Sequence, residues 1–548
     1  MKNIVVTAAL PYANYRLHLG HLRSTYLPAD IYVRYFRLKG ENAIYICATD
    51  EHGTPITIKA ENAGISPKEV VNEYHEAAKK DFEDMGISFT YFGRTTLPLH
   101  HELTQEFFLR LREKGHIYES QIQQLYCPKD DRFLSDRFVE GICPHCQGEA
   151  RGDQCENCGR HLKPTELGNP RCALCGTTPI MKETKQWFFR LSSFQDFLKK
   201  WIQETSGLSS NVRNYAAQWL KESLKDWCIT RDMSWGVPVP VEGAEGKVIY
   251  VWFDAPIGYV SNTIQWARDE DKQELWRRFW QDPDGEIIHF IGKDIIYHHA
   301  LFWPAMLKGR TDYCLPTQII AGEYLTLGGK KMSKSKGWMI EVKDYLAKFE
   351  ADPLRYYLTV VSPLNRDANF TWEEFARKNN DELADILGNF IHRTLVFTYQ
   401  FFDGKIPIPE EDYPKELLQK AQDAVHKVGR LIESHEYNRA MREILNLAAS
   451  GNKFFNDSEP WRTIKTDRES TSSTLYVADQ LVKTLTILMA PFLPTSAEKL
   501  WQILNLEGSV HQQRWSEAKE ELPSGHMIKK PSPLFRKFEA KELPRLGS

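Results

Sequence analysis

The sequence predicts an α/β chain: a doubly wound parallel sheet, interrupted by a metal-knuckle insertion and followed by an all-α helical bundle. Three observations predict it. Over residues 1–115, short β-rich apolar runs alternate with helix-period segments, the rhythm of βαβ units in parallel sheets. Residues 116–180 are rich in Cys, Gly, Asp and Arg and poor in apolar side chains. Such a stretch cannot build an ordinary core, so bound metal must stabilise it. From Asp381 to about Trp501 nearly every segment has amphipathic helical spacing, with breaks at residues 404–414 and 457–460.

The elements follow in order. Residues 4–9 are a short apolar run with Pro11 close behind, so they read as the first strand of the sheet rather than as a secretory leader. Residues 18–39 have helical spacing and stop at Gly40, and residues 42–48 form a second buried strand. Ser66-Pro67-Lys68-Glu69 marks a helix start, with Ser66 as N-cap and Pro67 in the first helical position. From Trp187 the pattern reads as helical, and residues 247–253 and 286–291 are strands that resume the sheet. The expected domains are residues 1–115 (first half of the sheet), 116–235 (insertion), 236–325 (second half), 326–380 (a loop and connector) and 381–548 (helical domain plus C-terminal peptide).

Composition narrows the class. The chain has 548 residues, 42% hydrophobic and 26% charged, enough apolar material for several cores and too much for general disorder. No run approaches the roughly 18 apolar residues of a membrane helix. Lys plus Arg is 70 against 73 Asp plus Glu, a net charge of -3. That excludes a chain basic throughout, though phosphates are bound by local patches rather than by totals. The ten cysteines include three close Cys-x-x-Cys pairs, which read as zinc knuckles in a reducing, cytoplasmic setting rather than as disulfides.

Two motifs carry chemistry. Residues 11–21 run from the first strand into a helix and end in His18-Leu19-Gly20-His21. A helix N-terminus offers unpaired amides to an anion, Gly20 admits a ligand close to the backbone, and two imidazoles can donate to a phosphate. Residues 328–337 read Gly-Gly-Lys-Lys-Met-Ser-Lys-Ser-Lys-Gly, a glycine-flanked basic loop suited to closing on a triphosphate. Taken singly, the first could be a capped helix with surface histidines and the second a basic linker.

Together, in this order and about 310 residues apart, they resemble the HIGH and KMSKS signatures of class I aminoacyl-tRNA synthetases. The resemblance implies a Rossmann-type catalytic domain. His18, His21, Lys331, Lys334 and Arg231 would act in catalysis, and Gly20, Lys293, Asp294 and Lys334 would bind ATP with Mg2+. Residues 9–12, 48–55, 250–259 and 293–299 resemble the methionyl-tRNA synthetase family nearly residue for residue. Carried over by position, Leu10, Tyr12, Trp252, Ala255, Pro256, Tyr259, Ile295 and His299 would line a methionine pocket. Phe302 and Trp303 would close it from behind, and Asp50 would hold the ammonium group. Aromatic edges suit a polarizable thioether, and Tyr259 and His299 would supply weak polar contacts to sulfur. Tyr15 departs from the family's usual Asn-Gly.

The spacing Cys143-x2-Cys146-x8-Cys155-x2-Cys158 is a four-thiolate zinc pattern, closed and structural. A second set, Cys127, Asp130, Cys172 and Cys175, resembles the nested site of two-zinc family members, with Asp130 where cysteine is usual. Asn389, Arg393 and Trp461 match family positions that read the CAU anticodon, groups suited to stacking and base-edge hydrogen bonds. The implied partners are L-methionine, ATP and tRNA(Met), with no membrane. No strand-rich appendage follows the helices, which favours a monomer. Three rivals remain at this point. A valine, isoleucine or leucine synthetase would need an editing domain larger than residues 116–235. A HxGH nucleotidylyltransferase would be short and lack the helical tail. A non-catalytic zinc protein would leave both motifs unexplained.

Overall fold

The computed structural model describes residues 1–152, 155, 157, 158, 160, 162–332 and 337–545. Six parallel strands lie in the order Gly207–Leu208, Gln318–Gly322, Glu286–Gly292, Asn3–Ala8, Asn42–Thr49, Tyr91–Arg94. The first strand is central, and the chain order reverses beside it, which opens a crevice at the carboxyl ends of Asn3–Ala8 and Glu286–Gly292. Side chains alternate across the sheet. Ile4, Val6 and Ala8 enter a core that continues into the C-terminal helices. Val5, Ile44 and Ile46 enter a second core on the opposite face.

The first helix starts at Leu19 with His18 as N-cap, and helical structure continues to Lys39. Gly40 ends it at φ 90°, a left-handed value that favours glycine. Leu22–Tyr26 is a widened π turn directly before Pro28. Proline removes a donor and crowds the preceding turn, and a π turn relieves that crowding. The same device recurs where the π turn His298–Phe302 precedes Pro304. Both widened turns adjoin the crevice. Ser66 caps Pro67–Asp84 reciprocally with Glu69, as expected.

The insertion is carried on a long antiparallel hairpin, Ile117–Cys127 with Ile180–Phe189. Two expectations are corrected here. Trp187 does not open a helical stretch; it lies within the second hairpin strand, and helix resumes at Gln195–Glu204. Nor do residues 247–253 rejoin the main sheet. Lys247–Ile249 pairs antiparallel with Thr230–Asp232 and, on its other side, bridges Pro238 through Val248, and Val251–Asp254 turns helical. An unbroken apolar run fits a strand or a buried helix equally well; here the Tyr250 amide bonds to Ile229 O at 2.9 Å, which closes the pairing and swings Trp252 over the crevice.

The C-terminal domain packs Asn389–Phe401, Glu416–Glu433, Tyr437–Asp457 and Pro460–Thr466 around Arg468–Met489, which is buried from Thr471 to Met489. Burial pushes the imidazoles of His52, His101 and His299 down to about 4 and that of His435 to about 3. An unfolded chain takes up these protons near pH 6.5, so it binds more protons than the folded chain between those values. The histidine contribution to stability is fully present above pH 6.5 and is lost as pH falls toward 4. Urea midpoints measured from pH 7.5 to 4.5 should fall across that window; a flat profile would contradict it.

Candidate active site

A cavity of about 1950 Å³ opens at the crevice. All nine positions expected to bind methionine line it: Leu10, Tyr12, Asp50, Trp252, Ala255, Pro256, Tyr259, Ile295 and His299. His18, Arg231, Asp294 and Lys331 line it too. Phe302 and Trp303 are buried behind it in the second core, where Trp303 donates to His289 Nε2 at 3.2 Å.

Asp50 is the unusual group. Its carboxylate is buried, and Oδ1 has no hydrogen-bond partner among the described residues. Burial, then the neighbouring Asp254, push its pKa well above the usual carboxylate range. A buried carboxylate oxygen facing a cavity without a partner is costly unless a cation arrives. Behind it, His52 Nδ1 meets Asp254 Oδ2 at 2.9 Å, and His100 meets Ser261 Oγ at 2.9 Å and Thr104 Oγ1 at 3.3 Å. Side chains of His52, His100 and Asp254 lie close enough to share an ion, but hydrogen bonds already engage both nitrogens of His100 and Nδ1 of His52.

The far end of the pocket is a hydrogen-bonded pair. His299 Nδ1 lies 3.1 Å from Ile295 O, so Nδ1 carries the proton and donates; Nε2 then accepts from Tyr259 Oη at 2.8 Å. Both polar hydrogens are committed, and His299 is neutral at pH 7 because burial lowers its pKa to about 4. Sulfur, itself an acceptor, therefore meets ring faces and edges here.

His18 folds back over its own helix. Its Nδ1 accepts from the Gly20 amide at 3.1 Å, and its ring stacks on His21 with centroids 3.7 Å apart. A Cβ at Gly20 would lie 2.9 Å from His18 Cε1. Gly20 thus makes room for an imidazole, a role the sequence reading did not include.

Backbone hydrogen bonds join the two motifs. Leu19 donates to Ile340 O at 3.2 Å and Val342 donates to Leu17 O at 3.0 Å, with His18 and Glu341 paired antiparallel between them. The segment leaving the basic loop is thereby stitched to the helix start, and Met332 reaches the cavity. Lys331 lies over the Tyr324 ring at 4.5 Å. Ser333, Lys334, Ser335 and Lys336 lie outside the described residues.

Lys293 does not line the cavity. Its ammonium is held by Glu323 at 2.6 Å and Asp367 at 3.2 Å and lies over Tyr324. Arg231 lies 3.7 Å above the Tyr250 ring and donates to Asp136 of the insertion at 3.0 Å. Burial opposes its charge, but Asp136, Cys228 and Tyr250 together outweigh burial and raise its pKa.

The insertion places Cys143, Cys146, Cys155 and Cys158 in one cluster, and Cys127, Asp130, Cys172 and Cys175 in another. Sulfur pairs lie 3.9 Å apart (Cys143–Cys158), 3.5 Å (Cys146–Cys155) and 3.5 Å (Cys127–Cys175). A tetrahedral ion with metal–sulfur bonds of about 2.3 Å needs edges of about 3.8 Å, so the clusters fit one ion each. Asp130 Oδ2 lies 3.1 Å from Cys172 Sγ and 3.5 Å from Cys127 Sγ, which places it as the fourth corner. Amides of Gly148 and Asn157 lower the Cys146 thiol to about 6, toward the thiolate a metal binds.

In the helical domain, Asn389 and Arg393 sit one turn apart on Asn389–Phe401. The Arg393 guanidinium lies 4.3 Å over Phe455 and 5.7 Å from the half-exposed Trp461 ring, and it donates to Asn456 at 2.8 Å. Asn389 donates to Asn452 at 3.4 Å.

Comparison with known proteins decides the family. A profile described as tRNA synthetases class I (M) matches residues 4–395, and one described as anticodon binding domain of methionyl tRNA ligase matches residues 408–546. The chain belongs to the methionyl-tRNA synthetase family. It is 50% identical over 544 residues to the methionine–tRNA ligase of Methanobrevibacter smithii, covering 98% of this chain and 81% of that one. It is 50% identical over 549 residues to that of Methanopyrus kandleri, covering 100% and 81%. Among solved structures, Mycobacterium tuberculosis methionyl-tRNA synthetase in complex with methionyl-adenylate matches with a TM-score of 0.82 at 29% identity, covering 98% of this chain and 100% of that one. The activity is that of a methionine–tRNA ligase. Among the described residues no helix is long and apolar enough to cross a membrane.

Within this methionyl-tRNA synthetase fold, sequence reading missed three side chains at the site. His298 stacks on Trp252 with centroids 3.9 Å apart; its place beside His299 was the available signal. Tyr324 collects Asp294, Lys293 and Lys331 around one ring, and Asp136 anchors Arg231. Neither sits in a motif, so only the fold reveals them.

Proposed function

We propose that this cavity makes methionyl-adenylate and that the insertion and helical domain bring tRNA to it. The unpaired Oδ1 of Asp50 at the cavity wall, facing the stitched His18 and Lys331 segments, carries this reading. Asp50 takes the methionine ammonium, and the side chain lies among Trp252, Ala255, Pro256, Tyr259, Ile295 and His299, with Leu10 and Tyr12 beside it. A methionine carboxylate oxygen attacks the α-phosphorus of ATP; the oxygen–phosphorus bond forms as the bond to the β-phosphate bridge breaks, and pyrophosphate leaves. His18, His21, Lys331 and Lys334 stabilise the growing charge, mostly by position. Gly20 and Asp294 border the nucleotide, and Lys293 and Tyr324 hold that edge in place. Arg231 keeps a fixed positive charge at the wall. The terminal ribose hydroxyl of tRNA then attacks the methionyl carbonyl, and AMP leaves. Mg2+ accompanies ATP and neutralises its phosphates.

The test is amino-acid-dependent ATP–pyrophosphate exchange with each of the twenty amino acids. Exchange with methionine alone is expected; exchange with another amino acid would overturn the pocket assignment.

We assign zinc to both clusters, since thiolate-rich tetrahedral sets in a reducing cytosol select it. Metal analysis should give two zinc ions per chain, Cys143→Ser should remove one, and Asp130→Ala the other. One ion in the parent would remove Asp130 from the ligand set. Asn389, Arg393 and Trp461 form the anticodon surface. Trp461→Ala should lower kcat/KM for tRNA by about 5- to 150-fold, the stacking of one base at about 1–3 kcal/mol. Unchanged charging would move the anticodon elsewhere.

A further inference from the structure

A buried polar junction joins the helix begun at His18 to the helical domain. Arg355, on Ala351–Val360, is fully buried. Its Nη2 donates to Asp30 Oδ2 at 2.7 Å and to Pro491 O at 3.1 Å, and its Nε donates to Phe492 O at 2.9 Å. Its Nη1 reaches Met85 O at 3.3 Å and Gly86 O at 3.4 Å. Asp30 lies on Leu27–Lys39, the continuation of the His18 helix, and also accepts from Arg34 at 2.8 Å and from the Ser88 amide at 2.7 Å. Four distant stretches of chain thus meet at one guanidinium. Asp352, on the same helix, accepts from the Ser496 amide at 2.6 Å and grips the next helix of the domain.

Two of the carbonyls that Arg355 holds, those of Pro491 and Phe492, lie in the turn just after Arg468–Met489. That helix has 22 residues, about 33 Å at 1.5 Å per residue. Its start is tied to the Trp461 helix, where Thr471 Oγ1 donates to Thr463 Oγ1 at 2.7 Å. It is buried along nearly its whole length, so it behaves as a rod. One end stands beside Trp461; the other is clamped to the catalytic helix. The same catalytic helix touches the domain again through Tyr35 and Lys39, which reach Glu433 at 2.8 and 2.6 Å. There Gly429 is required: a Cβ would lie 2.7 Å from Tyr35 Oη.

We propose that Arg355 is a positioning residue for tRNA charging: it fixes the anticodon-bearing rod relative to the His18 helix, so that a tRNA held at Trp461 presents its end at the cavity. This rests on the reading above that Asn389, Arg393 and Trp461 hold the anticodon. An aliphatic packing role would need no guanidinium. Five acceptors from three separate stretches do, because arginine's planar fork can satisfy them together and lysine's point charge cannot.

The experiment compares Arg355→Lys and Arg355→Met with the parent in two assays on the full chain: methionine-dependent ATP–pyrophosphate exchange, and steady-state charging of tRNA. Exchange should stay within about twofold. The kcat for charging should fall about tenfold or more, since a displacement near 1 Å can cost 10²-fold, while KM for tRNA stays near the parent value because the Trp461 surface is intact. An equal fall in exchange and charging would overturn the proposal in favour of a purely structural role, and so would unchanged charging. If Arg355→Met fails to fold, Arg355→Lys decides by the same two readouts. The pair Arg355→Lys with Trp461→Ala should be less than additive in charging kcat/KM; full additivity would overturn the link to the rod. Trp461→Ala without any charging defect would instead remove the anticodon reading, a result separate from the Arg355 outcome.

Discussion

Gly20→Ala is expected to slow methionine activation by about 10²-fold or more, the cost of losing one well-placed donor at a developing anion. The added Cβ would lie 2.9 Å from His18 Cε1 and 3.0 Å from Nδ1. The imidazole cannot yield toward His21, on which it is stacked at 3.7 Å; its open side is the cavity that it lines. It must leave the helix start, and the charge on the α-phosphate loses its partner there. The backbone is not the reason: Gly20 is not among the glycines with positive φ. KM for methionine should stay near the parent value, since the proposed reading puts His18 at the phosphate end and Asp50 at the amino-acid end. Exchange kinetics at varied methionine and ATP check this. Full activity in the variant would mean that His18 is not placed by Gly20.

Asp50→Asn is expected to lower kcat/KM for methionine by at least about 10²-fold. Leaving a buried charge unpaired costs about 3–5 kcal/mol, and each 1.4 kcal/mol is tenfold. The pH dependence separates this from a packing defect. Burial and Asp254 raise the Asp50 pKa in the free protein, whereas a bound ammonium favours the carboxylate. Methionine binding must therefore displace a proton, and KM for methionine should rise as pH falls below the raised value. The asparagine variant should lack that arm. The stability sign runs the other way. With its folded pKa raised above the unfolded value, Asp50 contributes stability at low pH that is lost as pH rises through the folded pKa. Ligand-free Asp50→Asn should then melt above the parent at pH 7, a site that trades stability for binding. A lower melting temperature together with unchanged kcat/KM would sink the assignment.

Much of the molecule was legible because its determinants are local. The Ser66 box, the Gly40 stop, and the βαβ rhythm of Asn3–Ala8 and Asn42–Thr49 each follow from residues within one or two turns. The cysteine spacing foretold the donor set from Cys143 to Cys158, and the family resemblance supplied the second, with Asp130 as a corner. The misreadings fall where local signals are degenerate. Residues 247–253 form an apolar run that fits strand or helix, and Trp187 lies in a hairpin strand whose partner begins 70 residues earlier at Ile117. Lys293 stands apart from these: it carries a motif signature, and its ammonium is paired with Glu323 and Asp367.

What the sequence determined by itself is the chemistry available: two imidazoles and four lysines in signature order, eight metal donors, and an apolar aromatic set around one acidic residue. These are counts and spacings, and covalent order preserves them. The tertiary structure alone decided which groups are spent and which are free. Hydrogen bonds between residues 17–19 and 340–342 set the His18 segment against Lys331. Tyr259 spends its hydroxyl proton on His299, His299 spends its ring proton on Ile295 O, and Asp50 keeps an unpaired oxygen. Arg355 finds its acceptors on segments 137 and 325 residues away in sequence. Partnership is a matter of distance and burial, which depend on how separate segments pack, and no periodicity or motif along the chain encodes them.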